Sequence, residues 1–516
     1  METSSRSPWL ALIALALSVL VVGLDATVLN VALPTLSIDL GATTTELQWI
    51  VNAYILALAG TMLPAGVLAD RIGRKRVLLV GLGALLAGSV GAAFTEHIGT
   101  LIAMRVVMGV GAAITMPVVM ALIPLMFADA ERPKAVGLMT AAVSVGVPLG
   151  PIVGGYLLEH YAWNSIFWIN VPPVLLAIGA VVALVPETRA AISHPLDRAG
   201  AALSVLGIAT LVYGFVEAPQ AGWLSLSTLG WTGLGAVALI AFALRQARTA
   251  HPLIDLDIFR NRSFSGGTLA MALLQFVMYG LLFTLPQYLQ AVRGYDAMGT
   301  GVRLIPMMAG ILVAAGASKR LLARIGASRG TLIGTLVMAA ALFALARLTV
   351  DTSMVLIGIG LTVFGLGTGV AMTSSMDAVL SSLPREESGA GSSVMNTVRQ
   401  LSGALGVAIL GSILFTSYHN GLSESVLAPL PEPARQAVRE SVMGATQVAA
   451  GAGPAGDAIQ AMAATSYTHA MAILLVLSGL SGIAAAIAGW LMIPHRDAKA
   501  DPASTPAAGG SASKPA

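Results

Sequence analysis

Residues 71–81 read RIGRKRVLLVG, and residues 324–334 read RIGASRGTLIG. Both stretches begin with Arg-Ile-Gly, both end with Gly, and each starts in a basic segment between two apolar runs. In each case these are the second and third runs of a group of six. The repeat predicts two parallel six-helix units, an arrangement typical of membrane transporters that bind substrate between two halves.

The composition is typical of a membrane protein. Of the 516 residues, 56% are hydrophobic and only 10% are charged, whereas soluble proteins carry about 25% charged residues. Fourteen apolar runs approach the roughly 20 residues that cross a hydrocarbon core of about 30 Å. The runs are 9–33, 46–69, 76–95, 98–123, 136–158, 166–186, 200–217, 229–249, 265–290, 300–323, 329–348, 354–380, 389–415 and 468–492.

The basic residues orient these runs in the membrane. With a cytoplasmic N-terminus, the inner segments hold 21 of the 28 Lys and Arg residues, the outer loops four and the spans three. This bias predicts that both termini are cytoplasmic. The first run is too long for a removable signal peptide, so we expect a retained helix. The predicted parts are an N-terminal bundle (1–190), two inserted helices (191–262), a C-terminal bundle (263–496) with an outer insertion (416–467), and a disordered tail (497–516).

Several classes of function are excluded or disfavoured. The chain has no cysteine, which excludes thiol catalysis, disulfides and Cys-based metal sites. The net charge of +3 lies in short clusters between spans and does not indicate nucleic acid. The seven histidines are scattered along the chain, so we expect neither a metal site nor a membrane-embedded enzyme.

Four motifs in the first third of the chain carry a resemblance to a known family. They are LDATVLNVALP (24–34), GVLADRIGRKR (66–76), LIAMRVVMGVGAA (101–113) and GVPLGPIVGG (146–155). Together with the number of spans, they resemble the major facilitator superfamily, and specifically its fourteen-helix drug:proton antiporters of the EmrB/QacA type. The resemblance implies an all-α polytopic membrane protein, with fourteen transmembrane helices in two six-helix bundles plus two inserted helices.

The resemblance also implies a function. It points to a proton-coupled antiporter that exports lipophilic drugs, antiseptics or antibiotics by alternating access, in the bacterial cytoplasmic membrane. The expected partners are lipophilic small molecules, protons and the lipid bilayer, with no cofactor and a monomeric chain. Two alternatives stay open: a proton-coupled symporter or uniporter that imports a metabolite, and an exporter dedicated to one natural product. The glycine motif at 146–155 argues against import, because it resembles the pattern that marks exporters within the superfamily.

Two of the motifs supply candidate conformational residues. In the stretch 66–76, an acid at the end of one span precedes a basic cluster, and the resemblance implies a latch that closes one face; ordinary positive-inside topology is the alternative. In the stretch 146–155, Gly146, Gly150 and Gly154 recur every four residues and therefore share one helix face for close packing. The resemblance adds that this contact seals the cavity against protons. The latch residues are Gly66, Asp70, Arg71, Gly73, Arg74 and Lys75, and the antiporter motif comprises Gly146, Pro148, Gly150, Pro151, Gly154 and Gly155.

One acid and one base lie inside the early spans. Asp25 lies about eight residues before the outer end of its run, and Arg105 lies about seven residues after the outer start of its run. At about 1.5 Å per residue the two side chains share a depth. Each is costly to bury alone, so we expect them to pair. A protonation switch for coupling is the functional hypothesis; a structural acid bonded to Thr27 or Asn30 is the alternative.

Candidate cavity residues come from both halves. Gln275, Tyr279 and Phe283, with Met278 close by, recur at helical spacing, a pattern that suits helix packing as well as substrate contact. Arg399 lies inside a span and needs a partner, for which Asp377 is the candidate. Exporters of strongly cationic antiseptics in the family often carry an acid where this chain has Asn52, so polycations are not expected; lipophilic monocations, zwitterions and neutral compounds stay open. The predicted cavity residues are Asn30, Asn52, Tyr54, Gln275, Met278, Tyr279, Phe283, Asn396, Arg399 and Gln400.

Overall fold

A computed structural model describes residues 8–127, 131–185, 187–188, 197–249, 252–383 and 388–494, and all regular structure in these ranges is helical. The predicted tail 497–516 and residues 189–196 lie outside them. The helices are α1 (Pro8–Asp39), α2 (Thr44–Ile72), α3 (Arg74–Ala93), α4 (Ile98–Met126), α5 (Arg132–His160), α6 (Ser165–Trp168), α7 (Val171–Leu184), α8 (Arg198–Ala221), α9 (Leu226–Gln246), α10 (Arg262–Gln287), α11 (Ala297–Leu345), α12 (Met354–Leu380), α13 (Ser388–Asn420), α14 (Glu424–Leu427), α15 (Glu432–Glu440), α16 (Val442–Gly451) and α17 (Gly456–Met492).

Within these ranges, twelve helical stretches are long and apolar enough to cross a membrane. Two of them, Ala297–Ser318 and Leu321–Leu345, lie within α11, which is interrupted at Gly326 (φ +77°, ψ 166°). The sequence predicts two separate spans here, 300–323 and 329–348, and the interruption lies between them, because glycine adopts a positive φ at little cost. α2 and α5, of 29 residues each, are not among the twelve. The expected number of fourteen is therefore not reached by this criterion.

The buried apolar side chains form two clusters. The first joins residues from α1 to α8 with five from later helices, Tyr279, Phe283, Ala404, Val407 and Ala408. The second joins residues from α10 to α17 with Val31 of α1. In the first half, α1 packs on α5 and α4 packs on both α2 and α3; in the second, α10 packs on α13 and α11 packs on α12 and α17.

Two faces of the bundle are defined by the helix connections. α1 ends and α2 begins at one face, which we call the α1–α2 face; α2 ends and α3 begins at the opposite α2–α3 face. Among the described residues, the hydrogen bonds that directly join the two halves lie towards the α1–α2 face. They are Gln48 Nε2 to the Val407 carbonyl (3.2 Å), Gln290 Nε2 to the Val31 carbonyl (3.0 Å), Thr44 Oγ1 to the Glu440 carbonyl (2.7 Å) and the Ser37–Ser441 hydroxyl pair (3.4 Å).

The inserted helices form a hairpin beside the bundle. α8 packs on α9, on α2 of the first half and on α13 of the second. Its Gln220 amide donates to Thr45 Oγ1 at 3.1 Å, and its Phe215 carbonyl accepts from Ser412 Oγ at 2.8 Å. α9 leaves most of its apolar side chains uncovered, as expected for a helix that faces lipid.

The predicted outer insertion is largely helical. α13 continues to Asn420 and α17 begins at Gly456, so the two spans extend into the segment 416–467 and shorten the insertion. Within this segment the amphipathic helix α15 is followed by α16. α16 packs against α17 and α1 and covers part of the α1–α2 face.

Candidate functional site

The centre of the first half holds a buried ion pair. Arg105 Nη1 lies 2.8 Å from Asp25 Oδ2, and the two side chains are 2% and 1% exposed. The pairing expected from their shared depth is therefore present. Arg105 also donates from Nε to the Ile50 carbonyl at 3.3 Å, and its guanidinium lies 4.2 Å from the centre of the Tyr54 ring. These contacts from α2 hold the arginine on the acid.

A third polar side chain completes the site, and sequence reasoning missed it. Asn170, between α6 and α7, donates from Nδ2 to Asp25 Oδ1 at 3.0 Å and lies 3.3 Å from Ser89 Oγ. Both carboxylate oxygens of Asp25 therefore accept hydrogen bonds. The Asn30 amide and the Thr27 hydroxyl instead donate to backbone carbonyls of α1. The sequence signal that could have identified Asn170 is the presence of an asparagine in the otherwise apolar stretch WINVP (168–172).

The site contains several buried polar groups that make no described hydrogen bond. Asn52 is fully buried, and neither its amide nitrogen nor its amide oxygen has a hydrogen-bond partner in the part of the chain that the structure describes; the same holds for the Tyr54 hydroxyl and for Asn170 Oδ1. Such orphan groups are rare in a packed interior, because each costs about 1–3 kcal/mol when left unpaired. Their concentration beside an ion pair is typical of a site that binds a proton, water or a polar ligand.

The glycine face of α5 holds the segment of α1 that carries Asp25. A Cβ on Gly146 would meet the Leu20 carbonyl, and one on Gly150 would meet the Thr27 side chain and the Leu24 carbonyl. Gly154 lies against Val28, so the three glycines follow α1 through the residues that flank the acid. The prediction of close packing is confirmed. α5 is continuous through Pro148, whose side chain lies outside the described part, and Pro151.

The same helix reaches the second half at the α1–α2 face. Gly155 lies against the backbone of Ala297 and Met298 at the start of α11, and Gly301 lies against the Pro151 carbonyl. Small residues on both helices permit this approach of two backbones. The motif therefore contacts both α1 and the other half of the protein.

The α2–α3 turn contacts the end of its own half. Gly73 adopts φ +125°, Lys75 Nζ donates to the Val182 carbonyl at 2.8 Å, and Arg76 Nε lies 3.5 Å from Glu187 Oε2. Arg71 is exposed and Arg74 is partly buried. The Asp70 side chain lies outside the described part. No described atom lies within 4 Å of a Cβ placed on Gly66.

The predicted cavity residues divide into two groups. Phe283 is fully buried and Tyr279 is 9% exposed, and both belong to the apolar cluster of the first half. Gln275, Met278, Asn396, Arg399 and Gln400 are partly buried. The expected pairing of Arg399 with Asp377 is wrong: Asp377 is exposed on α12, and among the described residues no ion pair joins them.

Two helical halves with a buried ion pair in one of them define the class: a polytopic membrane protein built as a transporter. The model of the Major Facilitator Superfamily matches residues 15–407. The chain belongs to this superfamily, as the sequence resemblance implied.

Known proteins resemble the chain over most of its length. It is 33% identical to the tetracenomycin C resistance and export protein of Streptomyces glaucescens, over 79% of this chain and 76% of that protein. It is 33% identical to the methyl viologen resistance protein SmvA of Salmonella typhimurium, over 94% and 98%. Among solved structures, a bacterial homologue of the human lysosomal transporter Spinster matches with a TM-score of 0.67 at 16% identity, covering 95% of this chain and 98% of that one.

Proposed function

We propose that this protein is a proton-coupled antiporter that exports lipophilic compounds across the bacterial cytoplasmic membrane by alternating access. The observation that carries the proposal is the buried Asp25–Arg105 pair, held by Asn170, in a superfamily transporter. Named relatives that confer resistance or export drugs support export rather than uptake. Their substrates differ, so their names do not choose a compound for this chain.

The topology belongs to the same proposal. α2 and α5 are as long as the neighbouring spans and pack between them, on α4 and on α1, so we count them as two further spans and obtain fourteen. The distribution of basic residues supports cytoplasmic termini. The α1–α2 face is then external and the α2–α3 face cytoplasmic. With direct bonds between the halves towards the external face, this conformation corresponds to a transporter closed outside.

The proposed cycle uses Asp25 as the proton carrier and no cofactor. Protonation removes one charge of the ion pair and weakens its hold on Arg105, whereas the ionised acid restores it. Each proton moved inwards through the membrane potential supplies about 2.3 kcal/mol per 100 mV. The α2–α3 turn, with its basic cluster, serves as the latch that closes the cytoplasmic face when the protein opens outwards.

The test is substrate-induced proton release from detergent-solubilised protein. A growth-inhibition screen in an efflux-deficient host starts with tetracenomycin C and includes methyl viologen as a dication that we do not expect to be exported; an active compound is then used for the assay. We expect release from the wild type and none from Asp25→Asn, which keeps the shape of the side chain but cannot change its charge. Arg105→Lys keeps the charge but loses the planar fork, so it should impair release with normal expression.

Two outcomes would overturn the proposal. Equal proton release from the wild type and Asp25→Asn would assign the proton to another group. Inward substrate accumulation that follows proton entry in vesicles would identify a symporter. Because Asp25→Asn leaves the Arg105 charge in the interior, the double variant Asp25→Asn/Arg105→Gln and thermal unfolding of each protein separate lost coupling from lost folding.

A further inference from the structure

Arg399 of α13 lies inside a membrane span, and no described carboxylate lies within ion-pair distance of it. Its Nε is buried and has no hydrogen-bond partner among the described residues. An unpaired charge at this depth is expensive, and such residues in membrane proteins mark ligand or ion pathways. Arg105, by contrast, contacts an acid, a backbone carbonyl and an aromatic ring.

The position of Arg399 is at the junction of the halves. Gly403, one helical turn further along the same face of α13, lies against Tyr279 and Gln275 of α10. Tyr279 is buried in the apolar cluster of the first half, which also contains Tyr54, the ring beside Arg105.

Asn52 of α2 approaches the same junction from the first half. One turn before it, Gln48 bonds the Val407 carbonyl of α13. α2 and α13 run in opposite directions, so Asn52 lies about 6 Å deeper and one turn closer to Arg399. Among the described residues, both amide atoms of Asn52 lack hydrogen-bond partners. A guanidinium and a carboxamide with free hydrogen-bonding capacity thus lie on facing helices, about one helical turn apart in depth.

The charge balance indicates what such a pocket binds. Asp25 is neutralised by Arg105, whereas Arg399 beside the junction has no compensating charge among the described residues. A guanidinium with free donors binds a carboxylate, phenolate or sulfonate in a two-point geometry. We propose that Arg399, with Asn52 and Tyr279, recognises lipophilic organic anions. This rests on the proposed export function and specifies its substrate class. The proton site lies within the first half and the anion site lies at the junction of the halves, so their coupling passes through closure of the halves.

Three pyrene probes of one shape test the proposal: pyrenebutyrate, its neutral amide, and pyrenebutyltrimethylammonium. Energy transfer from the protein's tryptophans to pyrene reports binding to purified full-length protein in detergent at pH 7. We expect the wild type to bind pyrenebutyrate at least tenfold more tightly than either analogue. Arg399→Gln should lose about tenfold to a hundredfold of that affinity and change the affinity of the amide less than threefold. Arg399→Lys should retain part of the preference.

The control is Arg347→Gln, which removes an exposed arginine outside the site and should leave the preference unchanged. Wild-type binding of the cation as tightly as the anion would overturn the proposal, as would an equal loss of all three probes in Arg399→Gln with an unchanged unfolding temperature. The assay needs no proton gradient. Preference for the anion in a protein that fails the proton-release test would remove the proposed coupling and leave the anion site standing.

Discussion

At the scale of single residues, depths counted along the helices predicted the contact of one charged pair but not the contacts of the residues around it. Equal depth in two spans predicted the contact of Asp25 with Arg105, now 2.8 Å apart. The cost of burying a charge does not single out Asn170, because its side chain is neutral and lies in the short connection between α6 and α7. Depth also failed to identify a partner for Arg399. Asp377 was the candidate from the sequence, but its side chain is exposed on α12.

Asn170→Leu tests whether this asparagine tunes the acid. The variant is similar in size and loses the donor to Asp25 Oδ1, and a charge-assisted hydrogen bond of this kind is worth about 1.5–3 kcal/mol. We expect substrate-induced proton release at neutral pH to fall about tenfold. The matched control is Asn164→Leu, six residues earlier, whose amide donates to the Ala93 carbonyl at 2.9 Å and not to Asp25. A similar fall in both variants would indicate a purely structural role.

At the scale of helices, the runs of apolar residues predicted where elements lie but not which ones touch. Hydropathy cannot choose neighbours in lipid, since every span is apolar on its outside. The contacts of α8 with both α2 and α13 could therefore not be read from the sequence. The glycine spacing of α5 was more informative, because small residues at every fourth position fix one packing face.

Gly150→Ala tests that face. The added methyl would lie 2.9 Å from the Leu24 carbonyl oxygen and from the Val28 amide nitrogen, and such overpacking costs about 1–3 kcal/mol. We expect a lower unfolding temperature and weaker export, since α1 must shift beside Asp25. Gly83→Ala in α3, where no described atom lies within 4 Å, should leave the unfolding temperature unchanged or raise it. Tolerance of both substitutions would contradict tight packing of α5 on α1.

Asp197 joins the open end of the α8–α9 hairpin. Its carboxylate caps α8 through the Gly200 amide (2.9 Å) and accepts from Arg245 (2.7 Å) and Gln246 (3.1 Å). The hydrogen bond from Arg245 is the main cause that lowers the pKa of Asp197 below its ordinary value. A lowered folded-state pKa means that this stabilisation is present above about pH 4 and is lost as the pH falls below it.

Asp197→Ala should therefore lower the stability of the hairpin by about 1–2 kcal/mol at neutral pH and by progressively less in acid. Proteolysis or thermal unfolding of the purified protein measures this loss. Asp257→Ala is the control, because its ion pair with Arg260 is 78% and 84% exposed and exposed pairs contribute little. A pH-independent loss in Asp197→Ala would mean that shape, and not the charge, holds the hairpin.

At the scale of the whole molecule, the Arg-Ile-Gly echo indicated two repeated halves, and two buried clusters with few shared members form their cores. The sequence could not predict which face is closed in this structure, because the two conformations of one transporter have the same sequence and the same apolar pattern. The described hydrogen bonds directly between the halves lie towards the α1–α2 face. Alternating access requires those bonds to break and re-form in each cycle.

A reversible cross-link across the α1–α2 face tests this requirement. The chain has no cysteine, and the Ser37 and Ser441 hydroxyl oxygens lie 3.4 Å apart on opposite halves, within reach of a disulfide after small adjustments. Oxidised Ser37→Cys/Ser441→Cys should lose export and regain it on reduction, because the face can no longer open. Thr331→Cys/Ser375→Cys, with oxygens 3.3 Å apart inside the second half, should also cross-link but keep exporting when oxidised. Undiminished export by the oxidised Ser37→Cys/Ser441→Cys protein, with the cross-link verified by mass spectrometry, would show that this face stays closed throughout transport.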